Sequence, residues 1–169
     1  MVNDTELKGL GGWLTLPALG LLATPVIICY GLATDFWPIF AKGYWAILTT
    51  PRSSAYNPLW APLLSFEIAG NILILLAALV LLYLFFTKSF RLPKLMVTFL
   101  LANLLFVTAD YFLTGNIATI PQHARDEAMT QILRSLLASI IWVPYFLVSK
   151  RVKNTFVSNE IAASSRAMQ

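Results

Sequence analysis

The chain has 169 residues, of which 58% are apolar and 12% are charged, and its formal net charge is +4. Soluble domains average about 45–50% apolar and about 25% charged residues, and a domain of this size could not bury so much apolar surface. The composition therefore excludes a soluble protein and indicates a single membrane domain. The twelve Lys and Arg residues are too few and too dispersed for a nucleic-acid-binding face, so nucleic acid is not an expected partner.

The first predicted element is a membrane-spanning helix over about residues 12–35. Residues 9–34 contain no charged side chain, and about 20 apolar residues are enough to cross the hydrocarbon core. In the connection that follows, residues 36–61, apolar and aromatic side chains recur at helical spacing between Trp37 and Leu48, and Pro38 stands where a helix can start. We predict a short helix in this first outer loop, lying at the membrane interface.

Three further spans are predicted, over about residues 62–87, 93–114 and 130–149. The short polar turn between the second and third spans makes those two helices antiparallel neighbours. Without Arg134, the charge-free stretch of the fourth span would be too short to cross the membrane, so we place Arg134 inside the helix. The sequence predicts one all-α membrane domain, a bundle of four transmembrane helices in residues 1–157, and a flexible cytoplasmic tail in residues 158–169.

Lys and Arg are distributed unequally between the two sides of the membrane. With four crossings, eight of these residues fall on the side of the chain ends and three, Lys42, Arg52 and Arg125, fall on the other side. The positive-inside rule places the richer side in the cytoplasm. We therefore predict a multi-pass protein of a bacterial inner membrane with both termini in the cytoplasm.

Polar side chains within the spans form the first candidate site. A charge inside a span costs about 2.5–3.5 kcal/mol on insertion scales, so each charge calls for a partner. At about 1.5 Å per residue, the charged side chains of spans two, three and four fall at similar depth, with one asparagine deeper in each of spans two and three. We predict one polar seam between these spans, in which the arginine pairs with the carboxylates. Its members are Glu67, Asn71, Asn103, Asp110 and Arg134.

Two interpretations of this seam remain open. Polar side chains hold membrane helices together, and they also form proton or ligand sites. The chain contains one cysteine, Cys29, and one histidine, His123, so no metal site is expected. It carries no recognisable catalytic or nucleotide-binding motif, and we expect neither enzymatic activity nor a cofactor.

Two segments near the ends of the chain have distinctive sequences. Residues 9–17 read Gly-Leu-Gly-Gly-Trp-Leu-Thr-Leu-Pro, and residues 145–156 contain the pattern Tyr-x-x-x-Ser-x-Arg-Val-x-x-Thr-Phe. Both segments resemble a family of uncharacterised bacterial inner-membrane proteins, the domain-of-unknown-function family 2569. The resemblance covers residues 9–157 and implies a four-span inner-membrane protein without an assigned activity. It also draws attention to a cytoplasmic-face site where spans one and four meet, comprising Gly12, Trp13, Tyr145, Ser149 and Arg151.

The functional hypotheses follow from these two candidate sites. The first is a non-enzymatic membrane protein that acts through contacts with membrane lipid, with another membrane protein or with a second copy of this chain. The alternative is a small transporter or ligand-binding protein that uses the polar seam, and an enzyme acting on a lipid-borne substrate is the least favoured. A water-filled cavity that reaches Asp110 would favour the alternative, whereas a dry and fully paired seam would favour the first hypothesis.

Overall fold

A computed structural model describes residues 10–157, and this part of the chain is helical and contains no strand. The helices are α1 (Gly12–Ala41), α2 (Tyr44–Thr49), α3 (Trp60–Phe86), α4 (Leu92–Gly115), α5 (Gln122–Val148) and α6 (Lys150–Val152), the last followed by a π-helical turn over Lys153–Val157. The helices α1, α3, α4 and α5 are long and apolar enough to cross a membrane. The predicted all-α fold with four such helices is confirmed, and the predicted tail, residues 158–169, lies outside the described residues.

Helix α1 is irregular towards its second end. It begins with a 3₁₀ turn, continues as an α-helix over Thr15–Gly31, and passes through a π-helical turn at Leu32–Phe36 before its last segment, Trp37–Ala41. Gly43, at a φ of 73°, then breaks the helix, because this left-handed conformation favours glycine. The region predicted as one short helix is therefore divided between the end of α1 and the separate helix α2. That α2 lies at the membrane interface remains a prediction.

Helix α5 extends beyond the apolar part of the fourth predicted span. It begins at Gln122, eight residues before the predicted start at residue 130. The polar first turns are supported locally, because Gln122 donates a hydrogen bond to the Asp126 carboxylate at 2.9 Å and Thr130 donates to the Asp126 carbonyl at 2.8 Å. Hydropathy therefore marks the apolar portion of this helix and not its start, and this difference determines where Arg134 lies.

The long helices pack mainly in chain order: α1 contacts α3, α3 contacts α4, and α4 makes the most extensive contact with α5. The outward faces carry large apolar side chains, such as Leu105 (72% exposed) and Val26 (69% exposed). Exposed apolar surface of this extent is unfavourable in water and suits contact with lipid. Helices also satisfy their own backbone hydrogen bonds, as a hydrocarbon environment requires.

A cluster of buried apolar residues lies at one end of the bundle, which we call the terminal end because residues 10 and 157 both lie there. The π-helical turn after α6 folds back onto α3 at this end, and the rings of Phe85 and Phe156 are 5.8 Å apart between centroids. We call the opposite end, which holds α2 and residues 116–121, the loop end. The buried members of this cluster are Leu14, Leu21, Leu81, Phe85, Leu92, Met96, Phe146, Val152 and Phe156.

Candidate functional site

Glu67 of α3 and Asp110 of α4 meet where these two helices pack together. Their carboxyl groups lie close enough to interact with each other. The Phe66 and Phe106 rings lie beside the pair, 5.1 Å apart between centroids. The Asp110 Oδ1 atom is buried and has no hydrogen-bond partner within the described chain. This oxygen atom is therefore available as an acceptor for a further hydrogen-bond donor.

Gly70 allows the close approach of α3 and α4 beside this pair. A Cβ atom at this position would overlap the Phe106 ring. Phe66 lies one helical turn before Gly70 on the same face of α3, so the ring of Phe106 is held between the two residues. A small residue at position 70 therefore lets the two helices pack closely.

Gly70→Ala is expected to lower the free energy of unfolding by about 1–3 kcal/mol, because the added methyl group overpacks the contact with Phe106. The matched control is Gly20→Ala inside α1, where nothing lies within 4 Å of the added carbon. That variant should be neutral or more stable by about 0.5–1 kcal/mol, since alanine favours the helix. Denaturant titration in mixed micelles measures both, and an equal response of the two variants would contradict the tight contact at Gly70.

The two asparagines of the predicted seam bond differently. Asn71 Nδ2 donates to a carbonyl one turn earlier in its own helix at 2.8 Å. Asn103 Nδ2 instead donates to Ser135 Oγ of α5 at 3.0 Å, and the Ser139 hydroxyl donates to the Leu100 carbonyl of α4 at 3.5 Å. Ser135 and Ser139 are buried, and their small size allows α4 and α5 to approach closely. The polar residues thus form two interhelical contacts, one with each neighbour of α4.

Arg134 is not brought to the carboxyl pair. The bond between Asn103 and Ser135 sets the register of the antiparallel helices α4 and α5, so Arg134 is level with Leu104. This is about 9 Å deeper than Asp110 along α4. The expected similar depth rested on a span that begins at residue 130, whereas α5 begins at Gln122. The Arg134 side chain is exposed on α5.

At the terminal end, Arg151 connects the two ends of the described chain. Its Nη1 atom donates to the Gly11 carbonyl at 2.6 Å, and its guanidinium group occupies the space that a Cβ of Gly12 would need. Gly12 has a φ of 63°, a conformation that favours glycine. Ser149 precedes α6, and its hydroxyl oxygen accepts from the Val152 amide at 3.5 Å. The structure therefore brings Gly12 and Arg151 into contact, with Ser149 two residues away.

Trp13 and Tyr145 lie differently at the terminal end. The Trp13 side chain is 67% exposed and lines a shallow hollow next to Gly12. The Tyr145 ring packs against the buried core and lies 5.5 Å from the Trp142 ring. Its hydroxyl is buried and has no hydrogen-bond partner in residues 10–157. Trp13 is thus placed to contact a membrane surface, as tryptophan does at membrane interfaces, and Tyr145 faces inward.

Three residues of these contacts were not predicted from the sequence: Gly70, Ser135 and Ser139. A signal was present, because Ser135 and Ser139 are four residues apart on one helix and small residues at this spacing are typical of membrane helix contacts. Gly70 lies within one turn of both Glu67 and Asn71, which also indicated a packed face. Phe156 stood out as the last residue of the pattern that resembles the family, but its burial had no hydropathy signal, since it follows the fourth apolar stretch.

The described residues offer no evident place for a metal ion. No three His, Cys, Asp or Glu side chains in residues 10–157 are grouped closely enough to bind one, and Cys29 is an exposed free thiol on α1. The chemistry available in the two candidate sites is hydrogen bonding between helices, acceptance of a hydrogen bond by Asp110, and attraction of anions by the basic side chains of the terminal end.

A family model described as "Protein of unknown function (DUF2569)" matches residues 7–157. The matched range contains both the polar residues of the spans and the contact between Arg151 and Gly11. No curated protein matches the chain, and no solved structure matches it.

Proposed function

Since the chain belongs to the DUF2569 family of proteins of unknown function, we propose its function from its own geometry: it binds anionic lipid at the terminal end. In this proposal the protein is non-enzymatic, crosses the inner membrane several times and has both termini in the cytoplasm. The observation that carries this proposal is the charge distribution between the two ends of the bundle.

Basic side chains from two segments, residues 88–94 and 150–153, collect at the terminal end: Lys88, Arg91, Lys94, Lys150, Arg151 and Lys153. The contact between Phe85 and Phe156 brings the turn after α3 and the segment after α5 together. No Asp or Glu of the described chain lies at this end, whereas the three basic residues of the loop end are accompanied there by Asp35, Asp126 and Glu127. Clusters of four to eight Lys or Arg residues next to a span attract anionic lipid headgroups, and each residue near the membrane surface contributes about 1 kcal/mol to the binding free energy.

Aromatic side chains accompany this basic cluster. Trp13 is 67% exposed and Phe90 is 42% exposed, and the Arg91 guanidinium lies 5.6 Å from the centre of the Phe90 ring. Aromatic rings are enriched at the level of lipid headgroups. Lys and Arg side chains there keep their charge in the headgroup layer while their apolar stems follow the protein surface. Both features support contact with lipid, and the excess of positive charge supports a cytoplasmic terminal end.

Lys88→Gln/Lys94→Gln is expected to weaken the binding of anionic lipid at least tenfold, because two lysines together contribute about 2 kcal/mol. The measurement is native mass spectrometry of the full chain released from nanodiscs that contain equal amounts of anionic and zwitterionic phospholipid. The matched control, Lys42→Gln/Arg52→Gln, removes the same charge at the loop end and should retain the lipid. Reporter fusions at both ends, each expected in the cytoplasm, verify that the variants insert in the same orientation.

Two results would contradict this proposal. One is equal retention of zwitterionic and anionic lipid by the unaltered chain. The other is an equal loss of anionic lipid in the two double variants, which would show that lipid binding depends on the total charge of the protein and not on the charge at the terminal end. A reporter found outside the cytoplasm would overturn the proposed orientation.

A second candidate function, a small transporter or ligand-binding protein, is favoured by one observation. Asp110 Oδ1 is buried without a hydrogen-bond partner in the described range, so the carboxyl pair can accept a bond from a ligand. The same mass spectra test this function. A bound species other than phospholipid, present with the unaltered chain and absent with Asp110→Asn, would favour it over lipid binding alone.

A further inference from the structure

No carboxylate of the described chain lies at the depth of Arg134. It is level with Leu104, which is close to the middle of α4, between Leu92 and Gly115. At about 1.5 Å per residue, this is about 17 Å from either end of that helix. A hydrocarbon layer about 30 Å thick, centred on α4, would surround a side chain that the structure leaves exposed on α5. Charged groups at such depth face a protein interior or a partner.

Arg134 belongs to a polar strip along α5, which we call the α5 stripe. Its members, all exposed, are Glu127, Thr130, Gln131 and Arg134. Their spacing of three and four residues puts them on one side of the helix. At about 100° per residue, this side is rotated by about 110° from the side that packs on α4 through Ser135 and Ser139. The stripe is therefore a polar surface on a helix otherwise suited to lipid.

We propose that the α5 stripe is the surface through which two copies of this chain associate within the membrane, an inference that rests on the proposed membrane location. A two-fold axis along the membrane normal puts identical residues at the same depth. Each Arg134 then lies about one turn below the partner's Gln131 and the partner's Thr130. The five guanidinium donors meet amide and hydroxyl oxygens there, with the carboxylate of the partner's Glu127 two turns nearer the loop end.

The charge pattern favours a second copy over other occupants. The stripe holds one positive and one negative residue, so two copies bring no net charge into the interface, and each guanidinium group has uncharged oxygens of the partner within about one turn. The carboxyl groups of Glu67 and Asp110 face each other between α3 and α4, and Asp110 lies about 9 Å nearer the loop end than Arg134. Lipid headgroups lie at the membrane surface, far from a residue at this depth. Ala138, one turn after Arg134 on the same side, is small enough for two α5 helices to approach closely.

Disulfide cross-linking in proteoliposomes tests this inference with two adjacent positions. In a Cys29→Ser background, which removes the single cysteine, Ile141→Cys places a thiol seven residues after Arg134, on the side of the stripe. Ile140→Cys, about 100° away on the same helix, is the matched control, since Ile140 and Ile141 are 59% and 54% exposed. We expect oxidation to give a dimer of the 18.8 kDa chain with Ile141→Cys in at least fivefold higher yield than with Ile140→Cys.

Arg134→Leu, added to Ile141→Cys, should weaken the association about tenfold, which corresponds to about 1.4 kcal/mol, and Arg134→Lys should weaken it less. The inference is wrong if both positions cross-link equally, if neither cross-links, or if Ile141→Cys links to another protein. Alkaline carbonate extraction of the same vesicles separates this from the proposed function. A chain that stays in the membrane without cross-linking contradicts only the dimer, whereas a chain that is extracted contradicts the membrane location itself.

Discussion

Phe156→Ala is expected to lower the free energy of unfolding by about 3–5 kcal/mol, the largest effect of any variant considered for this protein. The Phe156 side chain is 0% exposed, and its ring lies 5.8 Å from the ring of Phe85 on α3. Truncation to alanine leaves a cavity in the core of the terminal end, and the surrounding side chains lose their packing contacts. Denaturant titration in mixed micelles, followed by tryptophan fluorescence, measures the change.

Phe112→Ala is the matched control for this variant. Phe112 lies on α4 and is 66% exposed, so its truncation removes contacts with detergent or lipid and leaves no cavity inside the protein. Its effect on the unfolding free energy should be within about 1 kcal/mol, as is usual for surface substitutions. If Phe156→Ala were as mild as Phe112→Ala, the segment after α5 would not be packed into the core.

Gly12→Ala is expected to lower the free energy of unfolding by about 1–3 kcal/mol, because a non-glycine residue is strained at the φ of 63° found there. The added methyl group would also displace the guanidinium group of Arg151. The neighbouring substitution, Gly11→Ala, is the control. Gly11 has a φ of −86° and nothing lies within 4 Å of the added carbon, so it should change the stability little.

A double-mutant cycle links this strain to the Arg151 contact. Gly12→Ala and Arg151→Ala both disturb the hydrogen bond from Arg151 Nη1 to the Gly11 carbonyl, so the double variant should lose less stability than the sum of the single variants. The steric part of the Gly12→Ala effect disappears with the guanidinium group, and the backbone strain remains. Strict additivity would show that the two residues do not interact.

These two predictions concern the same part of the molecule as the proposed lipid contact. Phe156 holds the segment with Lys150 and Lys153 against α3, and Arg151 holds the first turn of α1, which carries the exposed Trp13. Loss of either contact should therefore weaken lipid binding as well as stability. The variant Lys88→Gln/Lys94→Gln differs in this respect, because it removes charge from exposed positions and should leave the stability unchanged.

Much of the fold was predictable because it depends on local composition. Apolar stretches of sufficient length predicted the four long helices, and the short polar turn predicted that α3 and α4 are neighbours. The placement of Glu67 near Asp110 followed from counting residues along two helices whose ends were well marked. For α5 the predicted span begins at about residue 130, whereas the helix begins at Gln122, because the polar first turns carry no hydropathy signal.

The sequence by itself determined the class of protein, the number of long apolar helices and the side on which basic residues collect. These properties depend on composition and spacing along the chain, because a segment in hydrocarbon must be apolar and must satisfy its own backbone hydrogen bonds. Only the tertiary structure decided that Arg134 is level with Leu104, that the seam divides between two faces of α4, and that Phe156 is buried at the terminal end. The register and rotation of one helix against another depend on which side chains interdigitate, such as Asn103 with Ser135. These contacts join segments that are distant in the chain, so local composition and spacing do not predict them.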